Sequence, residues 1–347
     1  MRKIEDVFTP RRTDVNDSMY VERPLLEREL KRALDGSQHV VLFGESGNGK
    51  SWLYKKVLGA GRYFSVNCAD AARIGSISGQ LISLAFPDGR MRKSEVVDEK
   101  SAGFSLNLFQ GGLKSQNTYS IAPVDDLKPA LKKLAEESDA RPAVVVIENL
   151  ESIFQRKDLM EELGNILLLL DDDSLAGAHL RFLIVGTPAD VLEYFSRAEN
   201  LSSVANRLAE LPKVGGFSPA EVFTLLDKGF RKGLSVDLSD AELHALAKRI
   251  HLVTMGVAQR VHEYCLHFAY ELESSDWKYE AMLTDGAENR WLIGGLRQCY
   301  TVVERCLNSR DAAVARRNQV VWEIGRVTGH DFTVSDIEKR IRSDFPD

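Results

Sequence analysis

The chain of 347 residues lacks a long apolar run, since no stretch approaches the roughly 18 consecutive apolar residues that a membrane-spanning helix requires. Its first residues are mostly charged and no apolar segment follows them, so the pattern of a secretory signal peptide is missing as well. These absences exclude an integral membrane protein, predict no membrane partner, and favour a cytoplasmic location.

Metal-binding and redox patterns are also missing. The histidines are scattered, and the closest pair, His262 and His267, does not have the i, i+4 spacing of a metal site on a helix. The cysteines show no C-x-x-C spacing, which excludes a zinc site or redox pair of the common kinds and predicts buried thiols. They are Cys68, Cys265, Cys299 and Cys306. We therefore predict no structural metal.

Basic residues are not in excess either, because the formal net charge at pH 7 is -6. This balance excludes a chain-wide surface that neutralises phosphates, although a local basic patch stays open. The hydrophobic content of 44% is that of a folded protein, and the length is sufficient for two or three domains.

One glycine-rich stretch is the clearest motif, because it follows an apolar run at residues 39–43 and precedes a helical pattern that begins at Trp52. It reads Gly44, Glu45, Ser46, Gly47, Asn48, Gly49, Lys50, Ser51. This is the G-x-x-x-x-G-K-[ST] phosphate loop, in which backbone N–H groups surround phosphates, the lysine reaches the β- and γ-phosphates, and the hydroxyl ligates Mg²⁺. The N-terminus of the following helix adds a partial positive charge. We predict that ATP and Mg²⁺ bind here.

Two later apolar runs end in polar residues. Residues 143–147 lead to Glu148 and Asn149, and residues 181–186 lead to Thr187. In a parallel sheet these ends share one crevice with the phosphate loop. Glu148 is therefore predicted to act on the Mg²⁺ shell, directly or through water, and Thr187 to reach the γ-phosphate or its attacking water. The alternatives are a solvated acid and a threonine that caps a turn.

The chain order predicts an α/β fold: a parallel P-loop βαβ core with a β-hairpin insertion, then an all-α lid and a C-terminal helical or winged-helix domain. The insertion is either a contact surface for DNA, a subunit or a partner, or a structural decoration. Two capped helix starts, at Ser218 and Ser239, mark the lid. The predicted boundaries are an extended arm at 1–19, the core at 20–215 with its insertion at 86–122, the lid at 216–275, and the last domain at 276–347.

Taken together, these residues resemble the AAA+ ATPases, in particular the branch of origin-recognition initiators and their bacterial relatives, with the STAND switch ATPases as the next group. The resemblance covers roughly residues 18–285. It implies ATP as ligand, a homo-oligomer, and five matching motifs: Tyr20 to Arg23 as the leading motif, Gly44 to Ser51 as Walker A, Val144 to Asn149 as Walker B, Thr187 as sensor 1, and Met255 to Arg260 as the sensor 2 stretch. Tyr20 either stacks on adenine or packs the start of its helix.

Two departures from the family pattern concern hydrolysis. The family ends its Walker B strand in Asp-Glu, whereas this chain has Glu148 and Asn149. An asparagine can orient water but cannot take its proton, so hydrolysis is expected to be slow unless Glu148 or Glu151 takes that role. Gln259 stands where the family has the sensor 2 arginine, so Arg260 or a neighbouring subunit has to supply the missing charge.

The resemblance also implies an arginine finger that acts in a neighbouring subunit, for which Arg207 is the candidate and Arg197 the alternative; either is otherwise a solvated helix residue. Three functions stay open: an ATP-dependent switch of assembly or partner activation, a DNA-binding initiator or transposition-type regulator, and a scaffold without turnover. Equal numbers of basic and acidic residues after residue 308 give DNA binding little support. With no effector constellation in the sequence, we expect any effector to be a separate protein, as in bacterial antiviral defence systems that contain similar ATPases.

Overall fold

The computed structural model divides the chain into two compact units, Arg12–Phe217 and Met1–Arg11 together with Ser218–Asp347. We call them the core unit and the helical unit. The structure describes residues 2–87, 126–140, 142–175, 177–186, 191–197, 202–295, 297–308, 316–327 and 332–346. Within these ranges no helix has both the length and the apolar character needed to cross a bilayer.

The first element, α1 (Ile4–Val7), belongs to the helical unit, and the next elements form the core unit. In chain order these are α2 (Pro24–Asp35), β1 (His39–Phe43), α3 (Lys50–Leu58), β2 (Tyr63–Asn67), α4 (Cys68–Ile74), α5 (Ile77–Ala85), α6 (Leu127–Glu137), β3 (Ala143–Glu148), α7 (Lys157–Leu169), β4 (Leu180–Gly186), α8 (Val191–Arg197), α9 (Ser202–Ala205) and β5 (Leu208–Glu210).

The strands form one parallel sheet in the order β2-β3-β4-β1-β5. Both faces are covered, which is why the strand sequences are continuous apolar runs rather than alternating ones. In β3, Val144 and Val146 pack towards α2 and α3, whereas Val145 and Ile147 pack into the larger cluster on the other face. The predicted α/β class with a parallel core is confirmed.

Two local features of the core unit differ from the prediction. The apolar pattern of residues 71–85 predicts a single helix, but this stretch belongs to two. Gly75 ends α4 in the left-handed conformation with φ 78°, and Ser76 caps α5 through its side chain. The short strand β5 was not predicted, since three residues carry too little pattern to indicate a strand. Nearly all of the hairpin insertion predicted at 86–122 lies outside the described residues.

The helical unit contains no strand in its described part. The capping boxes predicted at Ser218 and Ser239 are confirmed. The elements are α10 (Pro219–Leu226), a π-helical segment (Asp227–Gly233), α11 (Asp240–Thr254), α12 (Ala258–Ser274), α13 (Leu283–Gly295), α14 (Arg297–Cys306), α15 (Arg317–Gly325) and α16 (Val334–Asp344). The regions predicted as lid and C-terminal domain thus fall in one compact unit.

The first residues of the chain are not an extended arm throughout. α1 and the residue after it bury their apolar side chains in the helical unit, where Phe8 contacts Phe230 with ring centroids 4.8 Å apart. Gly233 permits this approach, since a Cβ there would lie 3.1 Å from the Val7 side chain. Three apolar residues among the first eight supply the burial that favours folding over extension.

Candidate phosphate-binding site

The loop between β1 and α3 has the backbone that its glycines allow. Gly49 precedes α3 in the left-handed conformation with φ 87° and, as a glycine, has no side chain that could cap the helix. The first N–H groups of α3 therefore lie at the loop. A helix N-terminus of this kind attracts anions because its peptide dipoles point the same way.

Lys50 is the first residue of α3, and its Nζ donates to the carbonyl oxygens of Gly44 at 2.8 Å and Glu45 at 3.0 Å. Burial lowers the pKa of Lys50, while the carboxylates of Glu151 and Glu45 act in the opposite direction. The ammonium group is thus held at the loop that is expected to receive phosphate. Ser51 follows in the first turn with an exposed side chain, as a hydroxyl that ligates Mg²⁺ requires.

Glu148 ends β3 and lies beside α3, as the strand order requires. Its carboxylate accepts hydrogen bonds from the Tyr54 hydroxyl and from Ser65 Oγ, the latter at 3.1 Å. Burial and the bond to Glu148 raise the pKa of the Tyr54 hydroxyl. Each carboxylate oxygen has a further lone pair for water, so this arrangement fits a contact with Mg²⁺ through water. Ser51 and Glu148 are the residues that would hold the ion.

Asn149 adopts the left-handed conformation with φ 57°, and its Nδ2 donates to Oδ1 of Asn67 at 3.0 Å. Asn67 ends the neighbouring strand β2, and the same Oδ1 accepts the N–H of Ala69 at the start of α4. Asn67 was not among the predicted site residues, although a polar residue at the end of an apolar run could have indicated it. Glu151 follows in a short 3₁₀ turn (Leu150–Ser152), close enough for its charge to act on Lys50.

Tyr20 has the environment of a packed residue. It is 6% exposed, its hydroxyl donates to Glu27 Oε1 at 2.8 Å, and the Lys56 ammonium lies 5.6 Å from its ring centroid. These contacts are those that the packing alternative expects, not those of a ring open for stacking. Trp52 Nε1 donates to the carbonyl oxygen of Arg12 at 3.0 Å, so this indole contacts the chain that precedes α2.

The remaining predicted residues belong to other parts of the chain. Thr187 lies outside the described residues. Gln259 and Arg260 belong to the helical unit, where Gln259 Nε2 donates to Glu263 Oε1 at 2.9 Å. Arg197 is the last residue of α8.

Arg207 lies near the start of β1, whereas the phosphate loop follows the end of β1. Its carbonyl oxygen accepts the N–H of His39 at the first residue of β1, about 16 Å along the strand direction from the phosphate loop. Its guanidinium donates to Asp171 and, at 2.7 Å, to the carbonyl oxygen of Ser203. Arg207 therefore cannot reach the phosphates of its own subunit.

Three consecutive acidic residues after α7, Asp171 to Asp173, suggest a solvated turn rather than a metal site, and two of them make ion pairs or turn contacts. Asp171 pairs with Arg207, and Asp172 pairs with Lys128 at 2.9 Å. The hydrogen bonds of Asp172 to Ser174 and Lys128 lower the pKa of its carboxyl group. Among the described residues no cluster of histidine, cysteine or acidic side chains could hold a metal ion.

Solved structures with the same fold are known. A Walker-type ATPase of Pyrococcus abyssi has a TM-score of 0.56 at 16% identity, covering 93% of this chain and 89% of its own. The ORC2 protein of Aeropyrum pernix in its ADP form has a TM-score of 0.54 at 16% identity, covering 99% and 90%. The ORC1 protein of Aeropyrum pernix in complex with DNA has a TM-score of 0.52 at 16% identity, covering 99% and 81%.

The chain has the α/β fold of these structures. At these identities the likeness concerns the fold. No protein-family model matches the sequence, and no curated protein matches it.

Proposed function

We propose that this protein is an AAA+ type ATPase that binds ATP with Mg²⁺ and uses it to switch assembly or to activate a partner protein, with slow hydrolysis. The observation that carries the proposal is the loop of Gly44 to Ser51, which leads into the N-terminus of α3 through Gly49. Glu148 and Asn149 lie at the end of β3 in the same sheet. The ADP form of one protein with this fold is consistent with a nucleotide ligand.

Each residue of the site has a role that follows from its chemistry. Loop N–H groups and the start of α3 bind phosphate oxygens, and Lys50 leaves its loop carbonyls for the β- and γ-phosphates. Ser51 and Glu148 would hold Mg²⁺, which would neutralise charge on the phosphates. Asn149 orients water through its amide but cannot accept the proton, and this limits turnover.

Assembly is the part of the proposal that a kinetic experiment tests. Arg207 is 31% exposed and lies far from the loop of its own subunit, so it can act only on a neighbour, after leaving Asp171. ATP turnover per subunit should then rise with protein concentration. A mixture of Arg207→Ala and Lys50→Ala proteins should regain activity that each lacks alone, because one supplies the finger and the other the site.

A rate that does not depend on concentration, with no recovery in the mixture, would contradict the assembly model. It would favour the scaffold that binds ATP without turnover. The matched control is Arg156→Ala, since Arg156 is also paired with an aspartate on the surface of the core unit and should leave the concentration dependence unchanged.

DNA binding is the second candidate. A protein with the same fold has been solved in complex with DNA. Lys339, Arg340 and Arg342 are exposed on the last helix, α16. Three acidic residues lie on the same helix, namely Asp336, Glu338 and Asp344. Salt-dependent DNA binding that is lost in a triple alanine variant of the three basic residues supports this role. Equal binding by the variant contradicts it.

The proposal also includes a separate effector protein and a role in antiviral defence, which rest on the sequence resemblance alone.

A further inference from the structure

The core unit ends in a short stretch, residues 213–217, which we call the junction segment because the helical unit begins at Ser218. The segment continues from β5 alongside β1. The N–H of Val214 donates to the carbonyl oxygen of Phe43 at 2.9 Å, at the point where β1 ends and the phosphate loop begins. The junction segment therefore lies directly against the loop.

The first contact is a close approach of two backbones. Gly44 has φ 154°, and a Cβ on it would lie 2.4 Å from the carbonyl oxygen of Val214. Only glycine permits this distance. The first residue of the phosphate loop is thus in van der Waals contact with the junction segment.

The second contact is made by the side chain of Asn48, in the middle of the loop. It is 3% exposed, and its Nδ2 donates to the same carbonyl oxygen of Val214 at 3.1 Å. Its Oδ1 has no hydrogen-bond partner among the described residues. A buried acceptor without a partner costs stability. Among the described residues, the hydrogen bond that this side-chain amide makes therefore goes to the junction segment.

The third contact comes from Arg23, which bonds both partners at once. Its Nη1 donates to the carbonyl oxygen of Gly215 at 3.0 Å and to that of Asn48 at 3.4 Å. Its guanidinium lies 4.6 Å from the ring centroid of Phe217. Because Arg23 precedes α2, it anchors the loop and the junction segment to a third element of the core unit.

We propose that Asn48 and Arg23 are positioning residues that couple occupancy of the phosphate loop to the conformation of the junction segment. The proposal rests on ATP binding at the loop. Phosphates that bind the loop N–H groups fix its backbone, and Asn48 lies between two loop glycines, so its side chain follows that backbone. Val214 and Gly215 follow in turn, because Val214 accepts the Asn48 amide and Gly215 accepts the Arg23 guanidinium.

Hydrogen exchange read by mass spectrometry tests the coupling in the full chain. The protein is measured without nucleotide, with ADP, and with an ATP analogue that is not hydrolysed, and ATP affinity is measured in parallel by calorimetry. The reporters are the N–H groups of Leu211 and Val214, which bond Val41 and Phe43 of β1. In the wild type, nucleotide should slow exchange in both the loop and residues 211–217.

The informative variants are Asn48→Ala and Arg23→Lys. Both variants keep every backbone N–H group of the loop, so bound nucleotide should still slow exchange there. The slowing in residues 211–217 should shrink roughly fivefold, the effect of one hydrogen bond on an opening equilibrium. The matched control is Gln38→Ala. Gln38 Nε2 donates to the carbonyl oxygen of Asn206 at 2.9 Å, an amide contact of the same kind at the opposite end of β1. Its response to nucleotide should equal that of the wild type.

The outcomes are distinguishable. If the wild type does not bind ATP, the proposed function fails. If it binds ATP and protects the loop but exchange in residues 211–217 does not change, the coupling is wrong and the proposed function stands. Loss of ATP binding in both variants would make them ligand-binding residues and overturn the coupling, as would a wild-type response in both. Arg23→Lys keeps the charge at a less buried position, so the test stays decisive if Asn48→Ala does not fold.

Discussion

The hydrogen bond between Tyr54 and Glu148 joins the helix of the phosphate loop to the end of β3, and it permits a quantitative prediction. The Tyr54 side chain is 0% exposed and its ring lies edge-on to Tyr63, with centroids 5.5 Å apart. Tyr54→Phe keeps this packing and removes only the hydroxyl group. Glu148 then keeps the bond from Ser65 and loses the one from Tyr54.

A hydrogen bond to a charged group contributes about 1.5–3 kcal/mol to stability. Glu148 is half-buried, so water replaces part of the lost bond. We expect Tyr54→Phe to lower the free energy of unfolding by about 2 kcal/mol, which corresponds to roughly 4–8 °C in Tm for a unit of this size. The matched comparison, Ser65→Ala, should cost about 1.5 kcal/mol, at the lower end of this range, because its bond to the other carboxylate oxygen is long, at 3.1 Å.

The assay is urea denaturation of the wild type, Tyr54→Phe, Glu148→Gln and the double variant, followed by circular dichroism. Residues in direct contact should show non-additive changes, here a coupling of about 1–2 kcal/mol. A Tyr54→Phe protein within about 0.5 kcal/mol of the wild type, or additive single changes, would refute the reasoning.

Three further predictions address the site and the sheet. Asn149→Asp should raise ATP turnover, by up to about 10²-fold if a missing base limits hydrolysis, and an unchanged steady-state rate would assign that role elsewhere. Gly44→Ala should destabilise the protein by roughly 2–5 kcal/mol in a thermal melt, because a Cβ would lie 2.4 Å from a backbone oxygen. Gly61→Ala is the control, since Gly61 also has a positive φ but lies in open space, and it should cost less. Burial lowers the pKa of His39 from 6.5 to about 4, so the unfolded chain binds a proton that the folded chain does not. The free energy of unfolding should therefore fall by roughly 3 kcal/mol as pH drops from 6.5 towards 4. His39→Asn keeps an acceptor for the N–H of Phe182 and should reduce this pH dependence, as measured by denaturant titrations at several pH values. An equal pH dependence in the variant would exclude His39 as its source.

The phosphate loop and the ends of β1 and β3 could be predicted because their signals are local. A glycine pattern, an apolar run and the polar residue after it lie within a few positions of one another, and parallel strands bring such ends to one edge. The break at Gly75 and Ser76 was equally local and could have been predicted from the same capping rules.

The partners of the site residues could not be predicted in this way. Tyr54 and Glu148 are 94 positions apart, and Asn67 and Asn149 are 82 apart, so only the order of the strands brings them together. That order depends on which strands pair, and no residue pattern within one strand specifies it. The same limit applies to Arg207, whose pairing with Asp171 depends on where β5 lies in the sheet.

The central claim, ATP binding at the phosphate loop, is tested most directly by calorimetric titration with ATP and Mg²⁺. The wild type should bind, and Lys50→Ala should bind at least roughly a hundredfold more weakly, since it loses charge-assisted contacts to two phosphates. Lys55→Ala is the control on the same helix, because the Lys55 ammonium donates to the carbonyl oxygen of Thr13 and not to the loop; its affinity should equal that of the wild type. Equal ATP affinity in the wild type and Lys50→Ala, with both proteins folded, would contradict the account.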